Sequence, residues 1–255
     1  MQVDLISITP DAERVIESAG RTAYLSFDKE TNFPIIRGEN KGRLCIFRSE
    51  EYPDIASVRE GMPFSVESET WIAEKVWANS AEKFVEMLVR SGHLSVLEHA
   101  SATFRIRGAS RAFTHQLVRH RMASFTQQSQ RYVGEENFRI VEPPSIMKNP
   151  EAHDVFVNSM ERARLAYHRL QELGIQNEDA RFVLPNSIES EIVATADLRE
   201  WRHIVEIRGG RKAQWEIRSI ILDILRIFKE KVPAAFFDLE IDGEKGVVLK
   251  INDDG

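Results

Sequence analysis

The chain has 255 residues, 42% hydrophobic and 29% charged, with a formal net charge of -6; that is long enough for a sizeable core and ordinary for a soluble globular protein. Its acidity argues against bulk nucleic-acid binding, and no apolar run approaches the roughly 20 residues that span a bilayer. The lone Cys45 excludes intramolecular disulfides and a CxxC metal site, and residues 1–7 lack the basic and apolar regions of a signal peptide, so a cytoplasmic protein is expected.

Residues 3–8 read as a strand and 10–24 as a helix opened by Pro10. Residues 28–68 show no clean period and are punctuated by Gly and Pro, which reads as an excursion or insertion. Helical spacing is predicted over 69–91 from Ile72, Val76, Trp77, Phe84, Leu88 and Val89, with Gly92 as C-cap. Residues 102–107 alternate as a half-buried strand that Gly108 breaks. A helix capped by Ser110 is expected through about Met122. An amphipathic helix covers 151–173, a short one starts at Asn177, and two more cover 198–207 and 213–231. Strands at 236–241 and 246–251 flank Asp242-Gly243, a hairpin signal. Strands at both ends with helices between them suggest α+β.

Between Glu98 and Glu135 lie six arginines, Arg105, Arg107, Arg111, Arg119, Arg121 and Arg131, with no acid and no lysine. Arginine without lysine favours bidentate recognition of phosphate or carboxylate. A solvated helix end also suits cations, but such an end normally uses lysine and interleaves acids. Here Arg121 is followed by Ser124, Thr126, Gln127, Gln128, Ser129 and Gln130. That set is able to hold a phosphate and a polar heterocycle together.

Arg119-His120-Arg121, followed after seven residues by Ser129, resembles the RHR-x7-S signature of the flavin-dependent thymidylate synthases. Gly92-His93-Leu94-Ser95 with Glu98-His99 resembles an upstream block of that family. Residues 180–186, Arg202-His203 through Arg208, and residues 213–218 resemble downstream blocks. The resemblance implies an α+β fold with an antiparallel or mixed sheet packed with a long-helix bundle. It implies one catalytic domain over 1–255, carrying the 28–68 excursion, and a homotetramer with active sites shared between subunits. It further implies conversion of dUMP to dTMP with FAD, methylenetetrahydrofolate as carbon donor and NADPH as reductant.

Carried over by position, FAD would be met by Ser95, Arg119, His120, Arg121, Gln127, Asp197, Arg199 and His203. The dUMP site would comprise Gln116, Arg119, Gln127, Gln128, Ser129, Gln130, Arg131, Arg181 and Arg208. Arg208 would be the catalytic residue. A guanidinium stays protonated, so Arg208 reads as an electrostatic stabiliser of charge on the pyrimidine N3-C4-O4 system. Four positions depart from the pattern. Thr126-Gln127 replaces a common Asn-Glu, Asp197 stands where asparagine is common, and Lys212 replaces a histidine.

No GxGxxG follows a strand, so a Rossmann FAD site is not indicated. Cys45 reads as a structural thiol, and the reductive route needs no cysteine nucleophile. His93, Glu98 and His99 fit no HExxH pattern, and no metal is expected. Two other classes compete with the lead: a nucleotide- or RNA-binding module using the arginine run, and a metal-dependent hydrolase using the histidines.

Overall fold

The computed structural model describes residues 1–251. In chain order it begins with β1 (Gln2–Ile8), α1 (Ala12–Thr22), β2 (Ile35–Asn40), β3 (Arg43–Arg48), β4 (Pro63–Val66), β5 (Glu69–Trp77) and α2 (Ser80–Arg90). Next come β6 (Ser101–Ser110), α3 (Arg111–Leu117), β7 (Ser124–Gln127), α4 (Pro144–Met147), α5 (Pro150–Glu172) and α6 (Asn177–Ala180). β8 (Glu189–Asp197), α7 (Leu198–Gly209), α8 (Trp215–Lys231), β9 (Leu239–Asp242) and β10 (Val247–Lys250) complete the chain. The pairings between these strands are all antiparallel, which makes the chain α+β. It divides into two compact units.

Within the described residues the first unit comprises 1–8, 101–227 and 239–251. Its larger sheet has the order β1-β6-β8-β7. β6 buries Ala102, Phe104 and Ile106 while Ser101 and Arg105 face out, the expected period of two. Across the ladder Arg107 pairs with Asp4 at 2.7 Å, and Arg105 pairs with Glu191. These two arginines therefore brace the sheet face. Gly108, with φ of +68°, does not end the strand. The register shifts between Ile106 and Ala109, and pairing continues to Ser110, so the glycine serves a bulge.

The sequence pattern did not reveal β8, although it lies between β6 and β7. Its buried face is Ser190, Ile192, Ala194 and Ala196, and its half-buried face includes Val193 and Thr195. Small residues inside and a β-branched apolar residue outside blur the alternation. The strand ends on Asp197, whose Oδ1 accepts from the Glu200 amide at 2.7 Å and caps α7. α7 then buries Trp201 edge-to-face on Phe104 at 5.1 Å, with its indole N–H donating to the Ala102 carbonyl at 3.0 Å. Burying such a ring stabilises by about 1.5–3 kcal/mol.

Ser110 closes β6 and opens α3. Its Oγ accepts from the Phe113 amide at 3.1 Å and donates to Glu216 at 2.6 Å, and its own amide donates to Glu216 at 2.7 Å. α3 stops at Leu117, short of the expected Met122. Arg119, His120 and Arg121 thus occupy the following turn. α5 matches its expected span within a residue, capped by Asn149 and followed by Gly174 at φ +80°. β9 and β10 pair as the expected hairpin.

The second unit comprises Thr9–Ala100 and Phe228–Asp238. Residues 28–68 contribute β2, β3 and β4 to a sheet of order β3-β2-β5-β4. The helix predicted over 69–91 is corrected: residues 69–77 are strand β5, and α2 starts only at Ser80. Trp71 and Ala73 point into the core beside Phe47 and Phe64, so period two prevails where Ile72 and Val76 imitated helical spacing. Asn79 caps α2 by accepting from the Glu82 amide at 3.2 Å, and Glu82 accepts from Ala78 at 2.9 Å. α1 crosses α2 at Gly20, where a Cβ would lie 2.8 Å from Leu88 and Phe84 side-chain atoms.

Candidate active site

The turn after α3 and the C-terminal half of α7 meet at His120, which is only 7% exposed. Arg208 Nε donates to His120 Nε2 at 3.0 Å, and Arg208 Nη2 donates to the Gln116 carbonyl at 3.5 Å. The His203 ring stands edge-to-face against His120 at 5.9 Å. Burial, then the Arg208 guanidinium and His203, push the His120 pKa down from 6.5 to about 4. His120 is therefore neutral near pH 7. With Nε2 accepting, its proton sits on Nδ1, which lies 3.4 Å from Glu200 Oε1. Glu200, His203 and Arg208 recur at helical spacing on α7, so one helix supplies the acceptor, the ring and the cation.

A second cluster gathers around β7 and the segment after it. Gln127 Nε2 donates to Thr114 Oγ1 at 2.9 Å and to Ser190 Oγ at 3.1 Å. Both amide hydrogens are spent inward, which leaves Oε1 as the available atom. Gln128 donates to Glu135 at 3.2 Å, and its amide pairs with the Glu191 carbonyl at 2.8 Å. Ser129 Oγ accepts from the Arg131 amide at 3.3 Å, and Gln130 is buried. Glu178 draws two arginines together: its carboxylate accepts from Arg131 Nε and Nη2 at 2.9 Å, and its carbonyl accepts from Arg181 Nε at 3.1 Å.

Arg111 belongs to this cluster, although no role was assigned to it from the sequence. Its Nη1 is buried without a hydrogen-bond partner. Burial chiefly lowers its pKa, Arg181 adds to the shift and Glu135 opposes it. Its membership in the arginine run was the available signal. Thr114, Ser190, Glu178 and Glu200, which hold the candidate groups in place, carried no sequence signal.

Other positions stand apart from these contacts. Arg119 and Arg121 are exposed and pair with no carboxylate among the described residues. Asp197 spends Oδ1 on the α7 cap, and Arg199 is exposed beside it. Ser95 is exposed in the second unit, in a 3-10 turn (Leu94–His99). Among the described residues no group of three or more His, Cys, Asp or Glu is arranged to hold a metal ion, and no helix is long and apolar enough to cross a membrane.

Residues 4–234 match the family model described as thymidylate synthase complementing protein. The chain belongs to this family. A flavin-dependent thymidylate synthase of Geobacter sulfurreducens is 44% identical over 169 residues, covering 66% of this chain and 73% of the relative. One of Corynebacterium diphtheriae is 32% identical over 250 residues, covering 92% and 81%. One of Clostridium tetani is 31% identical over 252 residues, covering 92% and 85%. The whole arginine run, the His120–Arg208 contact and the Glu178 cluster lie inside the matched span.

Proposed function

We propose that this chain is a flavin-dependent thymidylate synthase, a methyltransferase that converts dUMP to dTMP with FAD, methylenetetrahydrofolate and NADPH. The observation that carries the reading is Arg208, fixed by a neutral histidine within an acid-free arginine run, in a chain of this family. The donor set fits the ligands. A dinucleotide carries a pyrophosphate and dUMP a phosphate dianion, and the chain offers unpaired Arg119 and Arg121 together with the orphaned buried Nη1 of Arg111.

In this reading Arg119, His120, Arg121 and His203 hold FAD, with Ser95, Gln127, Asp197 and Arg199 as further contacts. Gln116, Gln127, Gln128, Ser129, Gln130, Arg131, Arg181 and Arg208 hold dUMP, joined by Arg111. A bound flavin supplies hydride transfer, so no cysteine nucleophile is needed. The protein's part is placement and charge. His120 accepts from Arg208 Nε and the Gln116 carbonyl from Nη2, which leaves Nη1 and the second Nη2 hydrogen for the pyrimidine, where they would stabilise negative charge at N3 and O4. Arg208 moves no proton. The fold is read as that of the family, the assembly as a homotetramer with shared sites, and the location as the cytoplasm.

Purified protein, loaded with added FAD, is expected to show the visible absorbance of an oxidised flavin. It should form dTMP only when dUMP, methylenetetrahydrofolate and NADPH are all present, and chelators should not change the rate. Colourless protein after FAD addition, with salt-sensitive polynucleotide binding, would replace this reading with the nucleic-acid module. Arg111→Ala should raise the Kd for dUMP by about 10–50-fold, the loss of one or two charge-assisted hydrogen bonds. Equilibrium dialysis with dUMP measures this directly, and an unchanged Kd removes Arg111 from the site. Mixing an inactive Arg208 variant with an inactive Arg119 variant tests shared sites; no recovered activity in hybrids counts against them.

A further inference from the structure

Gln127, on β7, reaches two buried hydroxyls, Thr114 on α3 and Ser190 on β8; Thr114 is fully buried and Ser190 is 4% exposed. Gln127 Nε2 donates to Thr114 Oγ1 at 2.9 Å and to Ser190 Oγ at 3.1 Å. A hydroxyl can accept or donate, so these two contacts alone would let the amide turn over.

The Thr114 proton removes that choice. Thr114 Oγ1 donates to the Arg111 carbonyl at 3.1 Å, one turn back on α3. A carbonyl only accepts, so the hydroxyl proton is committed and Oγ1 is left to accept from Gln127. Polarity therefore runs one way, from the Gln127 nitrogen through Thr114 to a backbone oxygen. Among the described residues no acceptor holds the Ser190 proton, so Ser190 adds a contact and no direction. At the other end of the amide, Gln127 Oε1 makes no hydrogen bond among the described residues and is not buried. Turning the amide over would set Oε1 against two hydroxyl oxygens. Thr114 could then donate to it only by releasing the Arg111 carbonyl, at a cost of about one hydrogen bond.

We propose that Thr114 is a specificity-determining positioning residue: by fixing Gln127 as an acceptor, it selects a nucleobase that offers an imide N–H over one that presents a bare ring nitrogen. Uracil carries a proton on N3, whereas N3 of cytosine accepts. Against the fixed oxygen, cytosine sets two acceptors face to face and leaves both unpaired. The inference deepens the dUMP part of the proposed function and rests on it. The flavin ring carries the same imide edge, so the test separates nucleotide from cofactor.

Equilibrium dialysis of the FAD-loaded protein with dUMP and with dCMP gives the ratio of the two Kd values. The wild type should favour dUMP by about 10²-fold or more. Thr114→Val replaces the hydroxyl by a methyl of similar size and lets the amide present either end. The ratio should then fall about fivefold, the effect of one net hydrogen bond, through tighter dCMP binding. Thr114→Ser keeps the hydroxyl and should keep the ratio, which a packing role for the methyl group would not. Equal affinity for the two nucleotides in the wild type overturns the proposal, as does a ratio unchanged in Thr114→Val or lost equally in Thr114→Ser. Weaker FAD binding by Thr114→Val with an unchanged ratio overturns it in favour of the flavin edge. Tight dUMP binding with an unaltered ratio removes only this role; no dUMP binding by the flavin-loaded wild type removes the dUMP site as well.

Discussion

Arg208→Ala should lower dTMP formation by about 10²–10³-fold, the cost of removing one preorganised donor from a developing oxyanion. The flavin should remain bound, because Arg119, His120 and Arg121 are untouched. The geometry explains why the effect is large. Arg208 is held by two acceptors on one side, His120 Nε2 at 3.0 Å and the Gln116 carbonyl at 3.5 Å, so little reorganisation is needed when charge develops. Arg208→Lys should recover little, because an ammonium cannot bond His120 and present a planar pair of donors at once. Single-turnover assays on flavin-loaded protein measure the effect, and normal turnover by Arg208→Ala would refute the role. The contact also carries a pH signature. His120 is depressed from 6.5 to about 4, so the folded state binds fewer protons there than the unfolded chain. Stability from this group is full above about pH 6.5 and is lost as pH falls through about 4. Protonation removes the acceptor that aims Arg208, so activity limited by Arg208 should persist down to that window and fail below it.

Glu17→Ala should destabilise the second unit by about 3–5 kcal/mol, the range for stranding one partner of a buried ion pair. Glu17 is fully buried and Arg21 is 5% exposed. Arg21 Nε and Nη2 reach Glu17 Oε1 at 2.9 and 2.7 Å, and Arg14 reaches Oε2 at 2.9 Å. Arg21 also donates to the Ser26 and Lys29 carbonyls at 3.2 Å and lies over Phe84 at 4.3 Å. Without Glu17 the guanidinium keeps those contacts but loses its counter-charge inside the fold. Arg21→Met in the Glu17→Leu background should recover most of the loss, because the buried charge goes with Arg21 while the part-exposed Arg14 keeps its bond to the Thr31 carbonyl at 2.7 Å. Hydrogen exchange across residues 12–30 reads the change locally; protection equal to wild type in Glu17→Ala would show that the pair contributes nothing.

The elements legible in the sequence were those whose burial is one-sided. β6 alternates over residues 101–106, and Asp242-Gly243 marks the turn of the β9–β10 hairpin. α5 shows its amphipathic pattern and its C-terminal end at Gly174. β8 was hidden because Ala194 and Ala196 bury little surface while Val193 sits on the more open face. β5 was misread because Ile72 and Val76 are four apart, although Trp71 and Ala73 are the core residues. The candidate site divides in the same way. Arginine density and motif spacing exposed the cations. The groups that aim them were not visible, since Glu200, Thr114, Ser190 and Glu178 reach their partners through tertiary contacts that no local period encodes.

Gln127 shows what such aiming achieves. Thr114 and Ser190 hold its nitrogen side inward, so the outward oxygen is an acceptor by orientation and carries no charge. A carboxylate at that position would offer the same lone pairs but would set a negative charge inside the arginine run and would titrate in acid. The pinned amide would offer lone pairs to a ring N–H without adding a negative charge beside Arg111, Arg119 and Arg121, whereas Arg131 is already paired with Glu178. An approaching phosphate dianion would then meet a net attractive field there, with an association rate that should fall as salt rises.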